Sequence, residues 1–344
     1  MNLALSNSVY NRLLLIVSGL GGLLFGIDVG IIAGALPYLE ATSGLDPSQL
    51  SFIVAAVLLG SVISSLGAGA LADWIGRKNL MILSALMFVI SIPIIALAHG
   101  FAPLVLGRLL QGMSGGFIGV AVPLYLAECL GASNRGKGTG IFQWMLTFGF
   151  VLAALITLYF SYRLGAVTKL GNTAEIFAFK DHAWRGTFWL SLPPGLLFLL
   201  GGLVVSESPR WLFRRGKKAA ALAALQRSRT TEQADSELLL METNAAADAG
   251  AVAARGVNYR ESLARRKYIV PFILACLILT LNQLTGVNSI IGYNTTILLQ
   301  GGLSDYQAHI GSLLFSIVNF GITMIGVLLV DRKGRKFLLS LGSA

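Results

Sequence analysis

Long apolar runs separated by short polar stretches, and by one long charged stretch, organise this 344-residue chain. Runs of about 20 apolar residues match the hydrocarbon thickness that a helix crosses, and the strict alternation of a barrel strand is absent. Helical spans are predicted at Arg12–Pro37, Leu50–Ala72, Leu80–Ala98, Pro103–Leu126, Gly138–Phe160, Thr187–Val205, Ile269–Gln300 and Ala308–Val330. The fold class expected is therefore an all-α polytopic membrane protein. Six spans precede the charged stretch from Glu207 to Lys267, and two follow it.

Composition agrees with the pattern: 55% of residues are hydrophobic, 12% are charged, and the mean hydropathy is +0.74. A net charge of +10 could indicate a nucleic-acid partner, so the placement of the basic residues decides. Of the 26 Lys and Arg, only Arg163, Lys169, Lys180 and Arg185 fall in loops on one side, and Arg108 lies inside the fourth span. All others gather on the opposite side, which the positive-inside rule makes cytoplasmic. The N-terminus is thus expected in the cytoplasm of a multi-pass protein of the plasma (inner) membrane. No nucleic-acid partner is needed, and the lipid bilayer is the surrounding. The first run is too long for a signal-peptide core and leads straight into further spans, so it is read as a retained helix. Cys129 and Cys276 fall at or within helices with no His nearby in sequence, so neither a metal site nor a cofactor is expected. His99, His182 and His309 fall at span ends or in outer loops and read as solvated interface residues.

The charged stretch carries helix signals. Ser208 precedes Pro209, and Thr230 with Gln233 and Asn258 with Glu261 have capping-box spacing, so about three short surface helices are predicted. A disordered linker is the alternative, because Ala245–Gly256 is poor in bulky apolar residues. The motif D-x-x-G-R-K occurs twice, at Asp73–Lys78 after the second span and at Asp331–Lys336 after the eighth. Such an internal repeat is typical of secondary transporters, and it makes the last two spans counterparts of the first two.

In the first span, glycines at 22, 26, 30 and 34 form a flat face for close helix packing. Asp28 projects about 200° away from Gly26, and a carboxylate there should look into a cavity. Arg108 lies about 8 Å and Asp28 about 13 Å from the same surface, at 1.5 Å rise per residue. Two opposite charges at similar depth are expected to pair, either as a proton switch or as a static packing pair.

The order G-I-D-V-G-I-I-A-G-A-L (26–36), D-W-I-G-R-K (73–78), G-R-L-L-Q-G (107–112), P-L-Y-L-A-E (123–128) with Arg135-Gly136, S-E-S-P-R-W-L (206–212), N-Q-L-T-G-V-N (282–288) and D-R-K-G-R-K (331–336) resembles the sugar porter family of the major facilitator superfamily, of the sugar–proton symporter type. The resemblance implies a major facilitator fold of twelve helices, of which eight are present, with alternating access around a midplane sugar site. It divides the chain into a six-helix bundle over 1–206, a cytoplasmic linker with short helices over 207–267, and the start of a second bundle over 268–344. It also implies a chain shortened after the eighth helix, which would not transport alone.

By the same resemblance Asp28 and Arg108 are the proton-coupling pair, with Gln143, Asn282, Gln283, Asn288, Tyr293 and Asn319 at the sugar site. Amides suit this, since they offer donors and acceptors to hydroxyls without adding charge. Thr285-Gly286 would let the seventh span bend around a ligand. Asn282 stands where many members have glutamine, and Trp74 replaces an arginine of the second-span motif. Asp73, Arg77, Glu128, Arg135, Glu207, Arg210, Asp331 and Arg335 are expected at the cytoplasmic ends, as gating ion pairs or as solvated charges.

The function expected is import of a monosaccharide or polyol with protons, with sugar and protons as partners and the oligomeric state left open. Alternatives are a porter of another small solute such as an organic acid, a non-transporting sugar sensor, or an inactive shortened product. An enzyme is not expected, since no metal cluster, nucleophile elbow or phosphate loop is present in the chain.

Overall fold

The computed structural model describes residues 6–131, 135–169, 171–255 and 266–343. Among them are fourteen helices: α1 Asn7–Ser43, α2 Pro47–Ile75, α3 Arg77–Ala96, α4 Phe101–Cys129, α5 Arg135–Thr168, α6 Thr173–Trp189, α7 Leu192–Val204, α8 Pro209–Arg214, α9 Lys218–Ser228, α10 Thr231–Arg255, α11 Arg266–Leu284, α12 Val287–Gln300, α13 Asp305–Lys333 and α14 Arg335–Ser343. Eight of the described segments are long and apolar enough to cross a membrane; α6 with α7, and α11 with α12, each make one broken span. The two ends of the bundle differ in charge. Arg77 and the α8–α9 segment mark a basic end, and the turns at Gly44 and Gly302 mark the far end.

Four boundaries depart from those predicted, one of them in the fifth span, which runs to Thr168 and not Phe160 and so places Arg163 on α5 rather than in a loop. The first span does not stop near Pro37 but runs to Ser43 and ends at Gly44, whose φ of 66° is the left-handed cap that glycine tolerates. The sixth begins at Thr173 rather than Thr187, because Asn172 accepts a hydrogen bond from the Ala174 amide and starts a helix well before the apolar run. Lys180, His182 and Arg185 therefore lie on α6 and not in a loop. The surface helices are α8, α9 and a 25-residue α10, longer than the short helix expected there, and α10 continues through Ala245 to Arg255. The caps at Ser208 and at Thr230 with Gln233 are formed. Asn258 and Glu261 lie outside the described residues.

The glycine face of α1 packs along α5. A Cβ on Gly22 or Gly26 would overlap the carbonyls of Phe142 or Leu146, so these backbones touch with no side chain between them. The contact buries Leu23, Leu24, Ile27 and Ile31 in a core shared with Ile118, Val122 and Phe198. Helices α2 and α4 meet in the same way at Gly60 and Gly112.

The seventh span behaves differently in its two halves. Helix α12 packs on α1 and carries buried Ile291, Gly292, Asn294 and Thr295. Helix α11 exposes nearly all its apolar side chains, Phe272 at 69% and Leu279 at 65% among them. Between them Gly286 adopts φ 75°, a left-handed conformation that ends one helix and redirects the next. The bend expected at Thr285-Gly286 is present.

Candidate functional site

Asp28 on α1 faces α4, opposite the glycine face, and meets Gly115 there. Its carboxylate lies 3.8 Å from the Arg108 guanidinium, and both residues are 1% exposed. The pairing read from depth is thus formed, but the cavity expected at Asp28 is not: the carboxylate is enclosed between the two helices. Arg108 donates a 2.7 Å hydrogen bond to Gln111 Oε1 and lies under the Phe188 ring, 5.8 Å from its centroid. No donor among the described residues comes within hydrogen-bond range of either Asp28 oxygen. The guanidinium is held by a neutral neighbour, and the carboxylate is held by nothing but charge.

Of the amides singled out in the sequence, Asn282 and Gln283 end α11 and are exposed, while Asn288 opens α12 half-buried. Asn288 Nδ2 donates to Gln283 Oε1 at 2.6 Å across the break. Gln143 on α5 is exposed, and Asn319 on α13 is half-buried with Thr323 donating to it at 3.5 Å. Tyr293 lines a separate cavity of about 290 Å³ toward the far end, with Leu36, Glu40, Leu50, Thr296 and Gln300 among its walls. The structure brings Gln283 and Asn288 together; it does not gather all six residues around one closed volume.

Sequence reasoning missed a narrow, partly open cavity of about 10 Å³ between α1, α5, α12 and α13, room for roughly one water. Gly30, Thr157, Asn294, Ser312 and Ser316 are among its lining. The available signal was the run of small polar residues Ser312, Ser316, Asn319 and Thr323, whose spacing of three and four residues puts them on one helix face.

It also missed a cluster at the far end. Asp305 accepts hydrogen bonds from Tyr38 at 2.9 Å and from Ser161, joining α1 and α5 to the start of α13. His309, expected to be solvated, is instead fully buried: it stacks on Tyr38 with ring centroids 5.6 Å apart, and its Nε2 lies 3.4 Å from the Gly34 carbonyl. The missing side chain of Gly34 makes room for Thr157 of α5, and the imidazole meets the carbonyl of the same residue. His99 and His182 are exposed, as expected.

At the basic end the buried Arg77 holds Asp73 at 2.7 Å and Glu128 at 3.0 Å, and Ser208 donates to Glu128. Arg214 lies 3.7 Å from Asp73. Glu207 accepts the amides of Lys78 and Ser208, capping the start of α3. Arg210 makes no ion pair among the described residues, and the side chains of Arg135, Asp331 and Arg335 lie outside them. Trp74 is 72% exposed, and its carbonyl accepts from Arg215 at 2.6 Å. Among the described residues no group of three or more His, Cys, Asp or Glu could hold a metal.

The family model for the sugar (and other) transporter family matches residues 14–344. The chain belongs to that family. It is 29% identical to the "Glucose transporter GlcP" of Staphylococcus epidermidis over 95% of this chain and 68% of that protein. It is 30% identical to the "Arabinose-proton symporter" of Bacillus subtilis over 95% of this chain and 67% of that protein. The chain thus spans about two thirds of the length of these relatives. The structure superposes on a partially occluded inward-open conformation of the xylose transporter XylE from E. coli with a TM-score of 0.78, covering 96% of this chain and 75% of that one at 24% identity. The fold is the major facilitator fold, in part.

Proposed function

We propose that this protein imports a monosaccharide or polyol together with protons by alternating access, with its N-terminus in the cytoplasm of the plasma (inner) membrane. The observation that carries the reading is the Asp28–Arg108 pair: two charges buried at 1% exposure, 3.8 Å apart, with the carboxylate free of hydrogen bonds. A static pair in a low-dielectric interior repays its desolvation only with close, saturated geometry, and this one is neither close nor saturated. Protonation of Asp28 would break no hydrogen bond and would release Arg108 to Gln111. The proton-coupled relative, named for arabinose, supports the same coupling.

The remaining assignments follow this reading. Residues 1–206 form the first six-helix bundle, 207–267 the linker, and 268–344 the start of the second bundle. Gln143, Asn282, Gln283, Asn288, Tyr293 and Asn319 face the sugar. Asp73, Arg77, Glu128 and Glu207 hold the cytoplasmic end, with Arg135, Arg210, Asp331 and Arg335 assigned to the same gate by motif. An organic-acid substrate would need a free cation, and Arg108 is enclosed by Asp28, Gln111 and Phe188.

The test is uptake by the purified protein with a complete second bundle, in liposomes with an imposed pH gradient, using labelled arabinose, galactose, glucose, xylose and myo-inositol. Asp28→Asn, which keeps the shape but cannot take up a proton, should abolish accumulation and leave sugar counterflow measurable. Full accumulation by Asp28→Asn would remove this residue from the mechanism, and no uptake of any of the five by the wild type would remove the function.

A further inference from the structure

The narrow cavity between α1, α5, α12 and α13 is lined by an amide whose two ends are treated differently. Asn294 is 9% exposed, and its Oδ1 accepts hydrogen bonds from Ser312 and from Thr295, each at 3.1 Å. Its Nδ2 has no acceptor among the described residues. The amine keeps some accessible surface, so it is a donor open to an incoming acceptor. Here two hydroxyls fix the oxygen, and the residue lines the cavity.

The polar part of the remaining lining suits a hydroxyl, beside the apolar Phe150, Ala154, Ile291 and Phe315. Ser316 and Thr157 donate to carbonyls of their own helices, at 2.9 and 3.1 Å, so each hydroxyl oxygen keeps a lone pair for an incoming donor. No charged side chain lines the cavity, and its roughly 10 Å³ accepts one water-sized group and not a ring. A carboxylate or phosphate would meet no cation there. A hydroxyl would receive an amide N–H and give its own proton to Ser316 or Thr157.

We propose that Asn294, oriented by Ser312, is a specificity-determining residue that receives a single hydroxyl of an uncharged polyhydroxy solute in this cavity. The proposal rests on the sugar-transport reading and deepens it. It adds a subsite on the far-end side of Asn288 and Asn319, held by four different spans, so a sugar lacking that hydroxyl would leave the amide unpaired.

The test is calorimetric titration of the purified protein in detergent with the five sugars named above, followed by the monodeoxy analogues of whichever binds. Asn294→Ala should weaken the parent sugar about tenfold, the loss of one hydrogen bond at a buried site. One analogue should already bind the wild type about tenfold more weakly and lose nothing further in the variant, while the other analogues lose the full factor. Ser312→Ala should lose about threefold with the same analogue pattern, and it keeps the question open to refutation if Asn294→Ala does not fold. Equal losses for every analogue, or no loss, would overturn the subsite while leaving transport intact. Absence of binding by the wild type to all five sugars would overturn the transport reading, and the subsite with it.

Discussion

The two ends of the molecule are held together by opposite means. At the far end the last two spans are tied to the first bundle: Asp305 takes hydrogen bonds from α1 and α5, His309 is buried against Gly34, and α12 packs on α1. At the basic end the ion pairs stay among α2, α3, α4 and the α7–α8 connection, through Arg77, Glu128 and Ser208; α13 still meets α5 there, with Val327 against Gly140, while α11 stands apart with its apolar side chains exposed. One span, broken at Gly286, belongs to both regimes. The last two spans are thus held to the first bundle through α12 and α13 and not through α11.

The largest effect should come from the contact that makes the first bundle rigid. Gly26→Leu would drive a side chain into the Leu146 carbonyl and cost about 3 kcal/mol or more, seen as loss of monodisperse protein in detergent or a steep fall in Tm. Normal stability would mean that α1 and α5 can separate freely, against the rigid side of the comparison.

Asp305→Ala should come next. It removes two hydrogen bonds to a carboxylate, on the order of 1.5–3 kcal/mol each, and so loosens the far end without touching the α1–α5 backbone contact. In a Cys276→Ser background, labelling of a Thr296→Cys reporter by an impermeant maleimide should speed up about tenfold. An unchanged rate would show that α12 packing alone keeps this end shut.

Gly286→Ala should be milder, about 1–2 kcal/mol for a side chain forced into the left-handed region, with slower uptake. Gly286→Asn, which visits that region more readily, should recover most of the rate; equal defects would point to side-chain bulk and not to the bend. The smallest effect belongs to Arg214→Ala. Its pair with Asp73 is exposed at both partners, so stability should change by no more than about 0.5 kcal/mol and uptake should be retained. A large loss of uptake would make that exposed pair part of the gate after all.

Some features were readable because a short stretch of chain decides them. Apolar runs of membrane length set the spans, and capping residues set the starts of α8 and α10. A glycine every fourth residue could only be a packing face, and it packs on α5. Asp28 and Arg108 were legible as a pair because so few charges are buried in the spans that each had one natural partner. Gly286 advertised the break because glycine alone adopts its φ without penalty.

Other features depended on which helix faces meet, and no local pattern carries that. His309 near a span end reads as solvated until the Tyr38 ring and the Gly34 carbonyl, 275 residues away, enclose it. Asp305 reads as an ordinary first-turn acid until Tyr38 and Ser161 converge on it from two other spans. Asn294 reads as one more polar residue on a bent helix until Ser312 fixes its oxygen and the residue lines the cavity. In each case the sequence determined the chemistry of the side chain, and tertiary packing determined whether water, a neighbouring helix or a ligand would satisfy it.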